Sequence, residues 1–228
     1  PLLWKVRDTD NLQNSMKFFK GTKYDFFGIV DCNARSNEEI WMGTNSTGFA
    51  IMNTQSFNLE ETKNGIEPGD KNGNLMFRAL NVCSTVDEFK HFLDSTSLDG
   101  LCANFGVIDA KGGAGWFEVS TRSYQFFDAN DPTIAPNGYL ARTNFSFTGT
   151  EHEGLGYVRY QTDDETLAKA ALTHSITSDW IFSSLARSFR NPKLGIDLRD
   201  GNHNKPNTTG WFIDQDFISR SGTACSAI

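Results

Sequence analysis

The sequence groups its strand-type segments into two runs, and this grouping constrains the fold more than any other feature. Alternating apolar and polar residues predict strands at 24–32, 39–45 and 48–57, and again at 104–112, 114–122 and 124–130. Short turns that are polar or rich in Gly separate neighbouring strands, as in antiparallel sheets. Strands that come in runs, with helices before and after, are typical of α+β folds. We therefore predict an α+β fold in which helices pack on the outer faces of stacked antiparallel sheets.

Helical periodicity is confined to two parts of the chain. Between the strand runs, one helix face is formed by Leu75, Met76, Ala79, Leu80 and Cys83, and a second helix begins at a capping box of Thr85 and Glu88. After the second run, Thr162 and Glu165 predict the start of a helix over 162–174, which a further helix over 178–189 follows. The remaining segments are predicted as a long loop at 58–74, a strand at 138–144, a polar loop at 191–210 and a strand-like end at 211–228.

Length and charge limit the classes of function. A chain of 228 residues fits one domain with one core. The net charge of −7 and the pI of about 5.1 argue against a nucleic-acid partner, which needs clustered Lys and Arg. No apolar run approaches the roughly 20 residues of a membrane span. We expect a soluble protein, secreted or periplasmic if a signal peptide precedes Pro1, and the sequence leaves a homo-oligomer open.

The four cysteines are widely spaced and do not form a metal-binding or disulfide pattern. Cys32, Cys83 and Cys102 have no C-x-x-C partner and no His at ligand spacing, so we interpret them as small buried apolar residues. Cys225 has only three residues after it. We predict neither a metal ion nor a cofactor.

Three stretches are candidate sites of chemistry. The glycine-rich "DAKGGAGW" (109–116) lacks the helix start of a phosphate loop, so we predict a tight hairpin turn. In "GYLARTNFSFTG" (138–149) the predicted strand delivers Asn144 to its end, where an amide could stabilise an oxyanion; the alternative is an ordinary turn residue. The opening "LLWKVRDTD" places a cation and a carboxylate at the end of a short apolar strand, and its alternative is a surface ion pair.

Taken in order, five stretches resemble the N-terminal-nucleophile (Ntn) hydrolase superfamily. They are "PLLWKVRDTD", "GTNSTGFAIMNTQSFNL", "NFGVIDAKGGAGWFEV", "GYLARTNFSFTG" and "GLGYVRYQT". The similarity is to linear amide C–N hydrolases of the isopenicillin-N acyltransferase type, peptidase family C45, which are related to choloylglycine hydrolase and acid ceramidase. This resemblance implies a four-layer αββα sandwich over residues 1–228. It also implies an autoprocessed N-terminal Cys nucleophile that lies upstream of Pro1, and a domain that is incomplete at both ends.

The resemblance also implies roles for residues near the start of the chain. Asp8 matches the Asp that anchors the amine of the nucleophile, and Lys5 stands where Arg is usual, three residues earlier. Lys is a departure, because it lacks the planar donor fork of Arg. A frame shifted by two residues, which pairs Arg7 with Asp10, stays open.

Three later residues complete the implied site. Asn53 matches an Asn that contributes to the oxyanion site, with Gln55 as the alternative within the uncertainty of the register. Asn144 matches the later catalytic Asn, and Arg159 matches the Arg that orients the catalytic centre. For Arg159 the alternative is an ordinary residue on a helix surface.

The implied activity is hydrolysis of a small-molecule amide by an N-terminal Cys whose own α-amine accepts the thiol proton. Two alternatives remain open: acyl transfer, in which an amine intercepts the acyl-enzyme, and a non-catalytic protein that binds a small amphipathic ligand. Cys225 is rejected as the nucleophile, because the motifs that should follow a nucleophile all precede it.

Overall fold

The computed structural model describes residues 1–33, 38–59, 70–200 and 213–228. Seven antiparallel strands, β2 to β8, form one sheet in chain order. All six predicted strands of the two runs are confirmed within it, and β2 is an additional edge strand with mostly exposed side chains. The strands are β1 Lys5–Asp8, β2 Asn14–Phe19, β3 Phe26–Asp31, β4 Met42–Asn45, β5 Ala50–Gln55, β6 Ala103–Ile108, β7 Ala114–Val119, β8 Tyr124–Asp128, β9 Arg190–Asn191, β10 Ile196–Asp197 and β11 Thr223–Ala227.

Two helices connect β5 to β6 and cover one face of the large sheet. They are α1, Asp70–Val82, and α2, Val86–Asp94. The apolar face predicted for α1 is confirmed, because all five of its residues are buried in the core against the sheet. The predicted loop at 58–74 is wrong at its end, since α1 begins at Asp70. Asn72 in its first turn donates from Nδ2 to Gln55 Oε1 at 2.9 Å, which fixes the helix start on β5. Residues 60–69 of that loop lie outside the described residues.

The N-terminus of α2 carries the predicted cap in a modified form. Thr85 Oγ1 accepts from the Glu88 backbone N–H at 3.1 Å. The Glu88 carboxylate, however, accepts from the backbone N–H and hydroxyl of Ser84, at 2.7 and 2.9 Å, one residue before the cap. Two N–H groups at this helix start are therefore satisfied by side chains.

Replacing Thr85 with Ala should lower the free energy of unfolding by about 1 kcal/mol, because the Glu88 N–H loses its acceptor. Urea-induced unfolding followed by circular dichroism measures the change. Thr85→Ser keeps the hydroxyl and should stay within a few tenths of a kcal/mol of the parent chain. An equal loss for both variants would show that the methyl group of Thr85, not its hydroxyl, stabilises the helix.

The turn between β6 and β7 is the predicted tight hairpin. Asp109 Oδ1 accepts from the backbone N–H groups of Lys111 and Gly113 at 2.8 and 2.9 Å, and Gly112 has φ of +95°. Asp109 Oδ2 accepts from Val86 N at 2.8 Å and so joins the hairpin to α2. These bonds occupy the Asp109 carboxylate and hold the glycines in a turn.

A second, smaller sheet and further helices lie on the other face of the large sheet. Strand β1 pairs with β11 in antiparallel fashion, with Lys5 opposite Ala227 and Arg7 opposite Cys225. A cluster that includes Leu3, Met52 and Trp116 fills the space between the sheets. Helix α3, Tyr157–Leu172, packs outside the small sheet, as does the short helix α4, Ser178–Trp180, which continues as a π-helix over Ile181–Leu185. The predicted layers, helices outside two stacked antiparallel sheets, are confirmed, with two strands in the small sheet of the described residues.

The predicted strand at 138–144 is wrong. Among the described residues it pairs with no strand, apart from a single bridge between Asn144 and Leu155. Side chains satisfy its carbonyl groups instead: Thr143 O accepts from Thr54 Oγ1 at 2.6 Å and from Asn104 Nδ2 at 3.2 Å. Alternation in the sequence cannot distinguish a strand from a segment whose hydrogen-bond partners are side chains.

The start predicted for α3 is also wrong. The helix begins five residues earlier, at Tyr157, after Gly156 with φ of +86°. Thr162 lies inside the helix, where its hydroxyl donates to Val158 O at 3.1 Å. The earlier start places Arg159 on the helix, in its first turn.

The end of the chain differs from its prediction in part. The polar segment from 191 forms a short hairpin of β9 and β10, and its part at 201–210 lies outside the described residues. The strand-like end is confirmed as β11, which is shorter than predicted because a 3₁₀ turn, Asp214–Asp216, precedes it. Within the described ranges, none of the helices is both long enough and apolar enough to cross a bilayer.

Candidate active site

The five residues chosen from the sequence line one cleft. It has a volume of about 350 Å³ and is bordered by β1, β5, the segment 140–144 and α3. Lys5, Asp8, Asn53, Asn144 and Arg159 all contribute to its wall. Residues more than 150 positions apart are therefore brought together by the stacking of the two sheets and α3.

Lys5 reaches the large sheet from β1. Alternation along β1 buries Lys5 and Arg7, and the Lys5 ammonium donates to the backbone oxygen of Asn53 and, at 3.2 Å, to its Oδ1. Burial, with a smaller contribution from the neighbouring Arg7 charge, lowers the pKa of Lys5 to about 7. Among the described residues, none accepts a hydrogen bond from Asn53 Nδ2, so this amide can donate both N–H groups to a ligand.

Arg159 binds the side-chain oxygen of Asn144, as Lys5 binds that of Asn53. Its Nη2 donates to Asn144 Oδ1 at 2.8 Å, and its Nε donates to Gln215 O at 2.8 Å. Asn144 Nδ2 in turn donates to the backbone oxygen of Gln55 at 2.9 Å, which leaves one further N–H on this amide. Gly156 has φ of +86°, and a Cβ there would lie 2.9 Å from Arg159 Nη2 and 3.0 Å from Thr143 Cβ, so a larger residue would be strained beside the guanidinium. Arg159 is 8% exposed and is not a surface residue.

Asp8 is fixed from the C-terminal segment. Its Oδ2 forms an ion pair with Arg220 Nη2 at 2.7 Å, and its Oδ1 accepts from the Thr223 hydroxyl at 2.6 Å. Asp10, the carboxylate of the alternative frame, is exposed and does not line the cleft. Of the two frames, the one with Lys5 and Asp8 has both of its residues in the described cleft wall, whereas the other has only Arg7 there. Arg220 and Thr223 were missed in the sequence, which carries no local signal that β11 returns to β1.

Asp163 is a further cleft residue that the sequence analysis missed. It lies one helical turn after Arg159 and is 9% exposed. Its Oδ1 is buried without a hydrogen-bond partner in the described part of the chain. Burial outweighs the opposing influence of the Arg159 charge and raises the pKa of Asp163 to about 7. Residues four positions apart on a helix lie on the same face, so the spacing of Arg159 and Asp163 indicates that they are neighbours. The predicted helix start at Thr162 left Arg159 outside the helix, and the proximity was therefore missed.

Two ion pairs, one partly and one almost fully buried, complete the wall. Arg7 pairs with Asp31 at 2.8 Å, and its guanidinium lies 4.9 Å from the centre of the Trp41 ring. Arg142 pairs with Glu118 at 2.7 Å, where both side chains are almost fully buried. These contacts fix the two guanidinium groups as parts of the scaffold.

Within the part of the chain that the structure describes, none of the side chains that line the cleft is a cysteine. Cys225 lies opposite Arg7 on β11, and burial raises the pKa of its thiol despite the Arg7 and Lys5 charges. Cys83 and Cys102 are buried as expected, and burial raises the pKa of Cys83 to about 12. The expectation for Cys32 is wrong, because it lies exposed in the turn after β3.

Comparison with known proteins gives matches among solved structures only. No family model and no curated protein sequence matches the chain. A variant of the conjugated bile acid hydrolase from Clostridium perfringens superposes with a TM-score of 0.51 at 13% identity, over 84% of this chain and 77% of that chain. An N-acylethanolamine-hydrolyzing acid amidase ortholog from Caenorhabditis elegans gives 0.47 at 12% identity, over 75% and 79%. Penicillin V acylase from Agrobacterium tumefaciens gives 0.44 at 16% identity, over 77% and 54%.

The match to the bile acid hydrolase agrees with the layer order described above, two stacked sheets between helices. At this identity the likeness establishes the fold. The chain is an αββα sandwich of the Ntn-hydrolase type.

Proposed function

We propose that the cleft binds and activates a linear, non-peptide amide, and that the chain is the amide-activating part of an Ntn-type hydrolase. One observation carries this proposal. Two buried cations in one cleft, Lys5 and Arg159, each bind the side-chain oxygen of an asparagine. Fixing the amide oxygen orients the NH₂ group, and oriented donors in a desolvated site stabilise the oxyanion formed when an amide carbonyl is attacked.

The reaction needs a thiol nucleophile, and we propose a cysteine outside residues 1–228. The resemblance places such a residue before the segment that matches β1, and no cysteine is among the described residues of the cleft wall. The thiol sulfur bonds to the carbonyl carbon while its proton passes to the α-amine of the same residue. The C–N bond then breaks and the amine leaves with that proton. Water hydrolyses the thioester, which releases the acid and restores the thiol.

Each site residue has a role in this scheme. Asn144 and Asn53 donate to the oxyanion, Lys5 and Arg159 orient them, and Asp8 binds the ammonium that forms on the nucleophile. Asp8 suits this role because Arg220 and Thr223 hold its carboxylate in one position. In acyl transfer, the second candidate, an amine replaces water in the last step, and product analysis for free acid or transferred amide separates the two.

Replacing Asn144 with Asp should lower kcat for amide hydrolysis about 10²- to 10³-fold, with a smaller change in KM. The substitution keeps the shape of the side chain and gives Arg159 a carboxylate, but it removes the N–H donor. The measurement compares kcat and KM of the parent and the variant, both produced from the full reading frame, on a panel of N-acyl amines and N-acyl amino acids.

Asn130→Asp, in the exposed turn after β8, is the matched control and should leave kcat unchanged. Hydrolysis at the parental rate in Asn144→Asp would contradict the role of Asn144. A parent polypeptide that binds amides from the panel without cleaving any would leave the non-catalytic alternative in place of the hydrolase.

A further inference from the structure

A second cavity, distinct from the cleft, lies beside α3 and the segment 140–144. It has a volume of about 330 Å³, which suits a small organic molecule. Leu140, Ala141 and Arg142 line both the cleft and this cavity, so the segment that carries them forms a shared wall. The cavity, which we call the aromatic pocket, is also lined by four aromatic side chains and one carboxylate: Phe127, Tyr139, Phe147, Tyr160 and Asp164.

Helix α3 contributes to both cavities from neighbouring stripes of its surface. Arg159 and Asp163, four residues apart, line the cleft, whereas Tyr160 and Asp164, each one position later, line the aromatic pocket. The Phe147 ring contacts the Tyr160 ring edge to face, with 5.5 Å between the two ring centres. Phe147 is half-exposed, so an uncovered aromatic ring lies at this pocket.

The cation in the lining of the aromatic pocket, Arg142, is already compensated. Its Nε forms the ion pair with Glu118 Oε1 at 2.7 Å, and its Nη1 donates to the backbone oxygen of Ala141 at 2.8 Å. The guanidinium packs on the rings of Phe127 and Phe147. Because only 2% of its side chain is exposed, Arg142 fixes the two rings and offers little charge to a ligand.

Asp164, by contrast, is a carboxylate without a cation. Its Oδ1 accepts from the Tyr139 hydroxyl at 2.7 Å. In the described ranges its Oδ2 has no hydrogen-bond partner, and no Lys, Arg or His lies within ion-pair distance of it. Burial, and after it the hydrogen bond to Asp164, raises the pKa of Tyr139, while burial and then the Asp164 charge raise the pKa of Tyr160. Both hydroxyls therefore stay neutral, and Asp164 retains an acceptor for a ligand.

The surroundings of the aromatic pocket do not supply the missing positive charge. Arg159 is the cation that acts on Asp163, the neighbour of Asp164, and the two charges offset each other once Asp163 ionises, at a pKa of about 7. Of the further charged groups that act on Arg159, two are negative and one is positive: Asp8, Asp216 and Arg220. Among the described residues the balance of charge around Asp164 is therefore negative. Aromatic rings and a carboxylate in one cavity attract a cation and disfavour an anion.

We propose that the aromatic pocket binds a primary or secondary organic ammonium ion, which donates to the Asp164 carboxylate and packs its carbon stem on the rings of Phe147 and Tyr160. A charge-assisted hydrogen bond needs an N–H donor, and Asp164 Oδ2 is an acceptor that the described residues leave free. Cation–π attraction to the rings adds to this bond. Neither Asp164 nor Tyr160 is among the described residues of the cleft wall, so the proposal goes beyond amide hydrolysis and holds whether or not the cleft is catalytic.

Calorimetry on the 228-residue chain tests the proposal by comparing 2-phenylethylamine with 2-phenylethanol, a neutral analogue of nearly the same shape. At about pH 8 the amine keeps its proton, as a lysine side chain does, and Asp163 is ionised and offsets Arg159. The amine should bind at least about tenfold more tightly than the alcohol, because only the ammonium can pair with Asp164. Equal affinities, or no binding of the amine, would overturn the proposal.

Variants locate the bound ammonium. Asp164→Asn keeps an acceptor for the Tyr139 hydroxyl but removes the charge, and it should bring the two affinities within about twofold of each other. Asp99→Asn removes an exposed carboxylate elsewhere and should leave the preference unchanged. Phe147→Leu, at a half-exposed position, removes one ring and should weaken amine binding at least about threefold, which decides the matter if Asp164→Asn fails to fold. A preference that survives Asp164→Asn, or amine binding unchanged in Phe147→Leu, would refute the site.

Discussion

Replacing Arg142 with Met should lower the free energy of unfolding by about 3–5 kcal/mol, because it leaves the Glu118 carboxylate buried without its countercharge. Glu118 has no exposed side-chain surface, and Arg142 has 2%. The other Glu118 oxygen accepts from the Thr148 N–H and hydroxyl at 2.8 and 2.7 Å, so those donors alone would remain to support the charge. Urea-induced unfolding at neutral pH measures the loss.

The double variant separates the pair from its surroundings. The double variant Arg142→Met with Glu118→Gln leaves neither charge buried, so most of the lost stability should return. Glu118→Gln alone should also destabilise the protein, because it leaves the Arg142 guanidinium buried without its carboxylate. The Arg142 guanidinium lies 4.3 and 4.7 Å from the Phe147 and Phe127 ring centres, and the Met side chain can retain that packing. A loss below about 1 kcal/mol in Arg142→Met would mean that water reaches the pair.

The layers of the fold follow from local patterns in the sequence. The two strand runs, the apolar face of α1 and the cap at Thr85 each depend on residues within a few positions of one another, which is the range over which periodicity and capping act. The edge strand β2 escaped prediction because its side chains are mostly exposed and give no alternation of burial. The segment 138–144 was misread because its carbonyl partners, such as Thr54 and Asn104, lie far away in sequence.

The site was predictable only in part. Five residues that line the cleft were named from the resemblance, because the order of the motifs preserved their positions. Arg220, Thr223 and Asp163 could not be found that way. The first two reach Asp8 through the pairing of β11 with β1, a contact across more than 200 residues. Asp163 depends on where α3 begins, and helix boundaries are among the least certain features of a sequence.

The structure gives the residues of the opening motif a different environment from the one that the sequence suggests. The opening "LLWKVRD" resembles a surface strand with an ion pair, whereas the structure buries its lysine and ties its aspartate to the far end of the chain. Burial of Lys5 and Asp163 in one cleft gives both groups a pKa of about 7, so both can change protonation near neutral pH. Such perturbed groups are typical of functional sites, and they also affect stability.

Asp163→Asn should therefore stabilise the protein, and the gain should grow with pH. The pKa of Asp163 is raised from 3.8 to about 7 in the folded chain, so the folded state holds its proton more tightly than the unfolded state between these values. Stability is then lost as the pH rises from about 4 to 7, and the full loss of about 4 kcal/mol applies above pH 7. Lys5 has the opposite shift, and its contribution to stability increases from pH 7 upward.

Asparagine carries no charge at any of these pH values, so the difference between variant and parent isolates the Asp163 term and cancels that of Lys5. Urea-induced unfolding should give nearly equal stabilities at about pH 4, and a variant more stable by about 4 kcal/mol at about pH 8. Asp99→Asn, in the exposed loop before β6, should change the free energy by less than about 0.5 kcal/mol at both values. A variant that is less stable than the parent at about pH 8 would show that the Asp163 charge is compensated in the fold, by Arg159 above all.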